Sequence, residues 1–172
     1  LGVFEGGALE SELLAITGLE NEAGNPWPAL RAQLLAAGLI DVEALPGVTT
    51  PFLRFHPTLA PLLWQELDTD TRQRLSLAHR QRYAQLAQVL YHADTPHPHA
   101  ARAIANRELP NLLAALNRAF DDGDAEVQTY AECVLRFLRI FGRKREVDAV
   151  QERVNQQTGE VGSEAWFLAV SN

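Results

Sequence analysis

Two short runs of the sequence, Leu39-Ile-Asp-Val-Glu43 and Phe52-Leu-Arg-Phe55, are rich in β-branched and aromatic residues. Pro46-Gly47 and Pro51 lie between the runs, and residues of this kind favour a reversal of the chain. The two runs are therefore predicted to form a small β-hairpin. Because the apolar period falls to two only here, we expect all strand structure to lie between residues 39 and 55.

Helical patterns flank the hairpin on both sides. Apolar residues recur at helical spacing from Ala8 to Thr17 and from Trp27 to Ala37, and each run is followed by a glycine suited to a C-terminal cap. Pro57 suits the first turn of a third helix, which ends near Leu67. Helix, helix, hairpin and helix is the order of a winged-helix domain that lacks its first helix or strand.

Beyond Asp68 the pattern is helical almost throughout. Helices that begin near residues 109 and 146 lie about 37 residues apart, and those that begin near 125 and 164 lie about 39 apart, which is typical of helix-pair repeats. The region is therefore predicted to be a solenoid of antiparallel, tetratricopeptide (TPR)-like helix pairs. The predicted helices cover residues 69–91, 100–106, 109–120, 125–141, 146–156 and 164–172, and a loop at Thr95–Pro98 separates the first two.

Charge divides the chain at the same place. Residues 1–68 contain two of the 15 basic groups and nine of the 22 acidic groups, so this segment alone accounts for the net charge of -7. We therefore predict two domains, a winged-helix-like domain at residues 1–68 and a TPR-like repeat region at residues 69–172. Nucleic-acid binding depends on neutralising phosphates, so the acidic first segment disfavours a DNA-reading function.

The composition predicts a cytoplasmic protein that does not contact a membrane. No run approaches the roughly 20 apolar residues of a membrane helix, and the first residues lack the basic start of a secretion signal. Cys133 is the single cysteine and cannot form an internal disulfide. The chain contains no methionine, even at position 1, and this predicts that it is a piece of a larger protein.

Four stretches of the sequence together resemble a known protein family. Three of them are Leu1-Gly-Val-Phe-Glu-Gly-Gly7, Leu34-Leu-Ala-Ala-Gly-Leu-Ile40 and Phe55-His-Pro-Thr-Leu59. The fourth is Glu108-Leu-Pro-Asn-Leu-Leu-Ala-Ala-Leu116, followed by Asp122-Gly-Asp124. These stretches resemble the STAND signal-transduction ATPases, which are NB-ARC-like proteins with a nucleotide-binding domain followed by a winged helix and often by TPR-like repeats. The first three resemble the winged helix, and the fourth resembles the first repeat helix. The resemblance implies a regulatory segment that relays nucleotide state from an upstream nucleotide-binding domain and binds a protein or peptide partner through its repeats.

His56 is the residue to which the resemblance assigns a specific role. Nucleotide-switch members of the family carry a Met-His-Asp motif between the last wing strand and the next helix, and its histidine contacts the β-phosphate of ADP. Phe55-His56-Pro57 is in the matching place, with Pro57 where the family has aspartate. An imidazole can donate a hydrogen bond to phosphate and attracts it when charged. The resemblance thus implies a nucleotide sensor, and the alternative is a histidine that merely packs at a helix start.

No catalytic or metal site is predicted within the chain. Lys144, the only lysine, lies in Gly-Arg-Lys-Arg rather than in a glycine-rich phosphate-binding loop, so ADP or ATP is expected only in the larger protein. Three histidines and an aspartate lie between residues 92 and 99, but the prolines there hold the loop extended, which disfavours a metal site. Cys133 lies in an apolar run, where cysteine is usually inert.

A group of basic residues is a candidate binding surface. Arg136, Arg139 and Arg143 recur at a spacing of three and four residues, which places them on one helix face, and Lys144 and Arg145 follow directly. Such a face could bind an acidic peptide or the acidic first segment. It is equally the pattern of a solvated helix end, where the helix dipole favours cations.

A DNA-binding winged-helix regulator with a helical effector or dimerisation domain is the alternative function. In such proteins the helix before the wing enters the major groove and reads bases and phosphates with polar and basic side chains. The corresponding stretch here, Trp27 to Ala37, offers only Arg31 and Gln33. The sequence therefore favours the signalling interpretation over the DNA-binding one.

Overall fold

Ten elements follow one another in the computed structural model, which describes residues 1–21 and 24–158. They are β1 (Gly7–Leu9), α1 (Glu10–Thr17), α2 (Trp27–Ala36), β2 (Ile40–Glu43), β3 (Phe52–Phe55), α3 (Leu59–Glu66), α4 (Thr69–Ala93), α5 (Pro98–Asp121), α6 (Val127–Ile140) and α7 (Lys144–Thr158). The mainly helical fold with a small antiparallel sheet is as predicted. None of the described helices combines the length and the hydropathy needed to cross a bilayer.

The sheet has three strands in the order β1-β3-β2, so the second strand of the hairpin lies in the centre. The hairpin itself is confirmed, but the prediction that all strands lie between residues 39 and 55 is wrong because β1 pairs with β3. β1 is too short to show alternation, and Leu9 also fits the helical pattern of α1, which begins at the next residue. A Cβ atom on Gly7 would lie 2.5 Å from the carbonyl oxygen of Leu53, so this close pairing requires glycine.

Helix α5 is continuous, although two shorter helices were predicted in its place. Pro110 lies inside it and removes one backbone hydrogen bond, which deprives the carbonyl of Asn106 of its helical donor. Asn106 and Pro110 are both exposed, so water can reach this carbonyl. The helix therefore passes through the proline, and the predicted interruption between residues 106 and 109 is wrong.

One hydrophobic core extends from the sheet into the long helices. Its fully buried members include Phe4 and Leu53 from the first 68 residues and Leu112 and Leu138 from the later helices. Asp68, at the predicted domain boundary, caps α4 by accepting a hydrogen bond of 2.8 Å from the backbone N–H of Thr71. The sheet and the helices therefore pack as neighbours across the boundary. The helix predicted at residues 164–172 lies outside the described residues.

Candidate functional site

His56 lies in the short connection between β3 and α3, and its side chain is exposed. The Nδ1 atom accepts a hydrogen bond of 3.4 Å from the backbone N–H of Thr58 and lies 2.8 Å from the Oγ1 atom of Thr58. A backbone N–H can only donate, so the neutral ring carries its proton on Nε2. Thr58 thus orients the ring, whereas Pro57 has no polar side-chain group that could do so, and Nε2–H can donate to an external acceptor.

The outer edge of β1 is covered by two side chains of α5 rather than by another strand. On the inner edge, Phe55 donates to the carbonyl of Gly6, so the backbone groups of residues 5, 7 and 9 face outward. The Oδ1 atom of Asn111 accepts from the N–H of Glu5 at 2.7 Å, and its Nδ2 atom donates to the carbonyl of Gly7 at 2.7 Å. The side chain of Asn111 therefore replaces part of a β-ladder.

Glu108 completes the cover of this edge. Its Oε1 atom accepts from the N–H of Leu9, and its Oε2 atom accepts from the hydroxyl of Tyr83 and from the Nδ2 atom of Asn111, both at 2.8 Å. Glu108 and Asn111 are 0% exposed. We call this cluster of Glu108, Asn111, Tyr83 and His79, together with the outer edge of β1, the polar junction.

Two side chains of the polar junction, Glu108 and His79, have strongly shifted pKa values. Burial raises the pKa of Glu108 to about 7, although its three hydrogen-bond donors act in the opposite direction. Burial, followed by the charge of Arg118, lowers the pKa of His79 to about 3. The Nδ1 atom of His79 accepts from Arg118 at 3.1 Å, which leaves Nε2 to donate to Asn111. His79 is therefore neutral and fixed in one tautomer at physiological pH.

Two ion pairs outside the polar junction also join the first 68 residues to the long helices. The carboxylate of Glu12, which is 3% exposed, accepts from Arg82 of α4 at 2.6 and 3.1 Å. Glu43 of β2 accepts from Arg107 of α5 at 2.8 Å. The described part of the acidic first segment thus finds cationic partners on α4 and α5, and none of its ion pairs is made with the basic residues that the sequence singled out.

The five basic residues that the sequence predicts as a binding surface, Arg136, Arg139, Arg143, Lys144 and Arg145, lie in different environments. Arg136 binds the buried carboxylate of Asp94, whereas Arg139 is exposed and has no ion-pair partner among the described residues. The Nη1 atom of Arg143 lies 3.5 Å from the Oε1 atom of Glu146. The two remaining members, Lys144 and Arg145, are exposed in the first turn of α7 rather than at the end of α6.

Arg136 and Arg139 line a groove of about 1020 Å³ between the α4–α5 turn, α6 and α7. Arg102 of α5 also lines this groove, and its Nε atom donates to the Oδ1 atom of Asp94 at 2.7 Å. The sequence interpretation missed Arg102 and treated Asp94 only as a potential metal ligand. A buried aspartate followed eight residues later by an arginine on the next helix is not distinguishable by sequence from a surface pair.

Glu108 and Asn111 were also missed as functional residues, although they lie in the stretch that carries the resemblance. A signal was present, because they are polar residues at a spacing of three on the apolar face that contains Leu109 and Leu112. A buried polar group requires hydrogen-bond partners, so this pair could have been expected to bind another element. Which element it binds depends on the tertiary fold.

Three further candidates from the sequence are the single cysteine, the possible metal ligands and the helix that would read DNA. Cys133 is buried, and burial raises the pKa of its thiol. Within the described residues, no group of histidine, cysteine, aspartate and glutamate side chains is arranged to hold a metal ion. The exposed face of α2 is built from Pro28, Ala29, Ala32, Gln33 and Ala36, and Arg31 pairs with Glu10 at 2.8 Å. This face therefore presents no free cation to DNA phosphates.

Comparison with known proteins finds no matching protein-family model, no matching curated protein and no matching solved structure.

Proposed function

We propose that this chain is the regulatory and protein-interaction segment of a larger STAND-type signalling ATPase. In this proposal residues 1–68 form a winged-helix-like module that relays nucleotide state, and the helices from Thr69 onward form TPR-like repeats that bind a partner. The order of elements supports the proposal, because β1 precedes the helix pair and supplies the strand that the sequence pattern of a winged helix lacked. The resemblance of the stretches around His56 and Glu108 supports it independently.

The observation that carries the relay function is the polar junction. A signal passes between two modules only if a displacement in one changes the energy of the other. Here β1 shares its backbone groups with both the sheet and α5, through Asn111 and Glu108. A movement of the sheet that displaced β1 would leave these buried polar groups without partners, at a cost of about 1 to 3 kcal/mol each.

His56 supplies the proposed sensor. Its Nε2–H has no acceptor among the described residues, it follows the central strand β3 directly, and its backbone N–H donates to the carbonyl of Leu39 at 2.9 Å. A phosphate bound by His56 would therefore be connected through β3 to β1 and the polar junction. Loss of a charge-assisted hydrogen bond costs about 1.5 to 3 kcal/mol.

The test is ADP dissociation from the full-length protein that contains this chain, with wild type compared with His56→Ala. We expect ADP to dissociate about 10-fold to more than 100-fold faster from the variant. His97→Ala is the matched control, because His97 is an exposed histidine in the α4–α5 turn. An unchanged dissociation rate in a folded His56→Ala protein would show that His56 is an ordinary residue at a helix start and would refute the proposed sensor.

A further inference from the structure

The groove beside the α4–α5 turn combines guanidinium groups with apolar side chains. Its lining includes Arg102, Arg136 and Arg139 together with Tyr91, Leu135 and Ile140. Tyr91 is 38% and Ile140 is 40% exposed, so both apolar groups are open to a ligand. A site of this composition suits a ligand that carries both negative charge and apolar side chains.

The buried side chain of Asp94 binds two of these arginines, Arg102 and Arg136. Asp94 lies directly after α4, and its side chain is 0% exposed. Its Oδ1 atom accepts from Arg102 at 2.7 Å, and its Oδ2 atom accepts from Arg136 at 2.9 Å. The guanidinium carbon of Arg136 also lies 5.0 Å from the centroid of the Tyr91 ring. Because these side chains are ordered in advance, a ligand would bind them at a reduced entropy cost.

Arg139 provides a charge that no described residue neutralises through an ion pair. It follows Arg136 by three residues on α6, is exposed, and has no ion-pair partner in the described part of the chain. Asp94 offsets one of the three positive charges, and Glu132 at the groove wall offsets a second. The groove thus keeps a positive charge within a protein whose net charge is -7.

We propose that this groove binds an acidic peptide segment of a partner protein, with carboxylates at Arg139 and Arg102 and an aliphatic side chain against Tyr91 and Ile140. This inference deepens the proposed function, since it assigns a chemistry to the partner of the helical region. A nucleic acid fits less well, because it carries a charge on every nucleotide and would meet only three arginines, with Glu132 opposing it.

The experiment is a fluorescence-anisotropy titration of the chain with a short labelled peptide of Asp, Glu and Leu residues. The reference peptide has Asn and Gln in place of the acidic residues, and an equally charged single-stranded oligonucleotide is titrated in parallel. We expect the acidic peptide to bind most tightly and its affinity to fall as salt is raised. Arg139→Gln should weaken binding by up to about fivefold, since an exposed ion pair is worth up to about 1 kcal/mol.

Arg74→Gln is the matched control, because Arg74 is an exposed arginine of α4 outside the groove, and the substitution changes the net charge equally. Arg139 makes no ion pair within the described residues, so its replacement should leave the fold intact. Equal binding of the neutral peptide, tighter binding of the oligonucleotide, equal effects of the two substitutions, or no binding at all would overturn the proposal. An unchanged ADP dissociation rate in His56→Ala, by contrast, would refute the sensor and leave the groove site standing.

Discussion

Replacing Asn111 with alanine tests the polar junction directly. The amide of Asn111 accepts from Glu5 and donates to Gly7 and Glu108, with all three distances between 2.7 and 2.8 Å. Alanine would leave the buried carbonyl of Gly7, the buried Nε2–H of His79 and the part-buried N–H of Glu5 without these partners, and it would remove one donor from a carboxylate. At about 1 to 3 kcal/mol for each orphaned group, we expect the free energy of unfolding to fall by about 3 to 5 kcal/mol.

Urea unfolding followed by circular dichroism measures this loss, and an unchanged slope with denaturant would show that the shift of the midpoint is a change in stability. Asn117→Ala is the control, because Asn117 is exposed on the same helix, and we expect it to change stability by less than about 0.5 kcal/mol. Amide hydrogen exchange adds a local measurement. The N–H of Glu5 should lose protection in Asn111→Ala, whereas the N–H of Leu9 keeps its acceptor on Glu108.

Equal stability losses in Asn111→Ala and Asn117→Ala would refute the role assigned to the polar junction. Unchanged exchange at Glu5 would refute it as well, because the hydrogen bond to Asn111 would then contribute nothing to the order of this segment.

Two further predictions concern pH and DNA. The pKa of His79 is about 3 in the folded protein and 6.5 when unfolded, so this group makes stability rise with pH between these values. The pKa of Glu108 is about 7 in the folded protein and 4.5 when unfolded, so this group makes stability fall between pH 4.5 and 7. The free energy of unfolding of the wild type should therefore change little between pH 4.5 and 6.5, whereas that of Glu108→Gln should rise by about 3 kcal/mol over the same interval. Profiles of the urea midpoint against pH that run parallel for the two proteins would contradict this. The chain should also bind duplex DNA weakly at about 150 mM salt, and a specific dissociation constant near 10⁻⁸ M by anisotropy would favour the DNA-binding alternative.

The secondary structure was predictable where local chemistry decides it. The hairpin combines β-branched and aromatic residues with proline and glycine in the connection, so its strands at Ile40–Glu43 and Phe52–Phe55 were located from the sequence. β1 was not, because three residues cannot display a period and the strand exists only through its pairing with β3 and its contacts with α5. The continuity of α5 across the interruption predicted between residues 106 and 109 was not found either, since the cost of Pro110 to the helix depends on whether water reaches the freed carbonyl.

The candidate site was predictable to a smaller extent. Sequence spacing located two of the arginines on α6, but it could not show that Arg136 is bound to Asp94 while Arg139 makes no ion pair with any residue that the structure describes. The polar junction depends on contacts between residues about 100 positions apart, such as Leu9 with Glu108. A single sequence gives only a weak indication of such long-range pairing, namely a glutamate on an apolar helix face without an identified partner.

The cover that Asn111 and Glu108 provide for β1 has a consequence for self-association. An uncovered strand edge is a template on which another chain can add a strand, and proteins protect such edges with charge or with a covering element. At the other end of the sheet, β2 carries Asp41 and Glu43, which are paired with Arg54 and Arg107, and charged side chains on an edge strand disfavour the addition of another strand. If the polar junction opened, the backbone of β1 would become a second edge without that charge. Opening would therefore expose the protein to strand exchange and aggregation as well as to loss of stability.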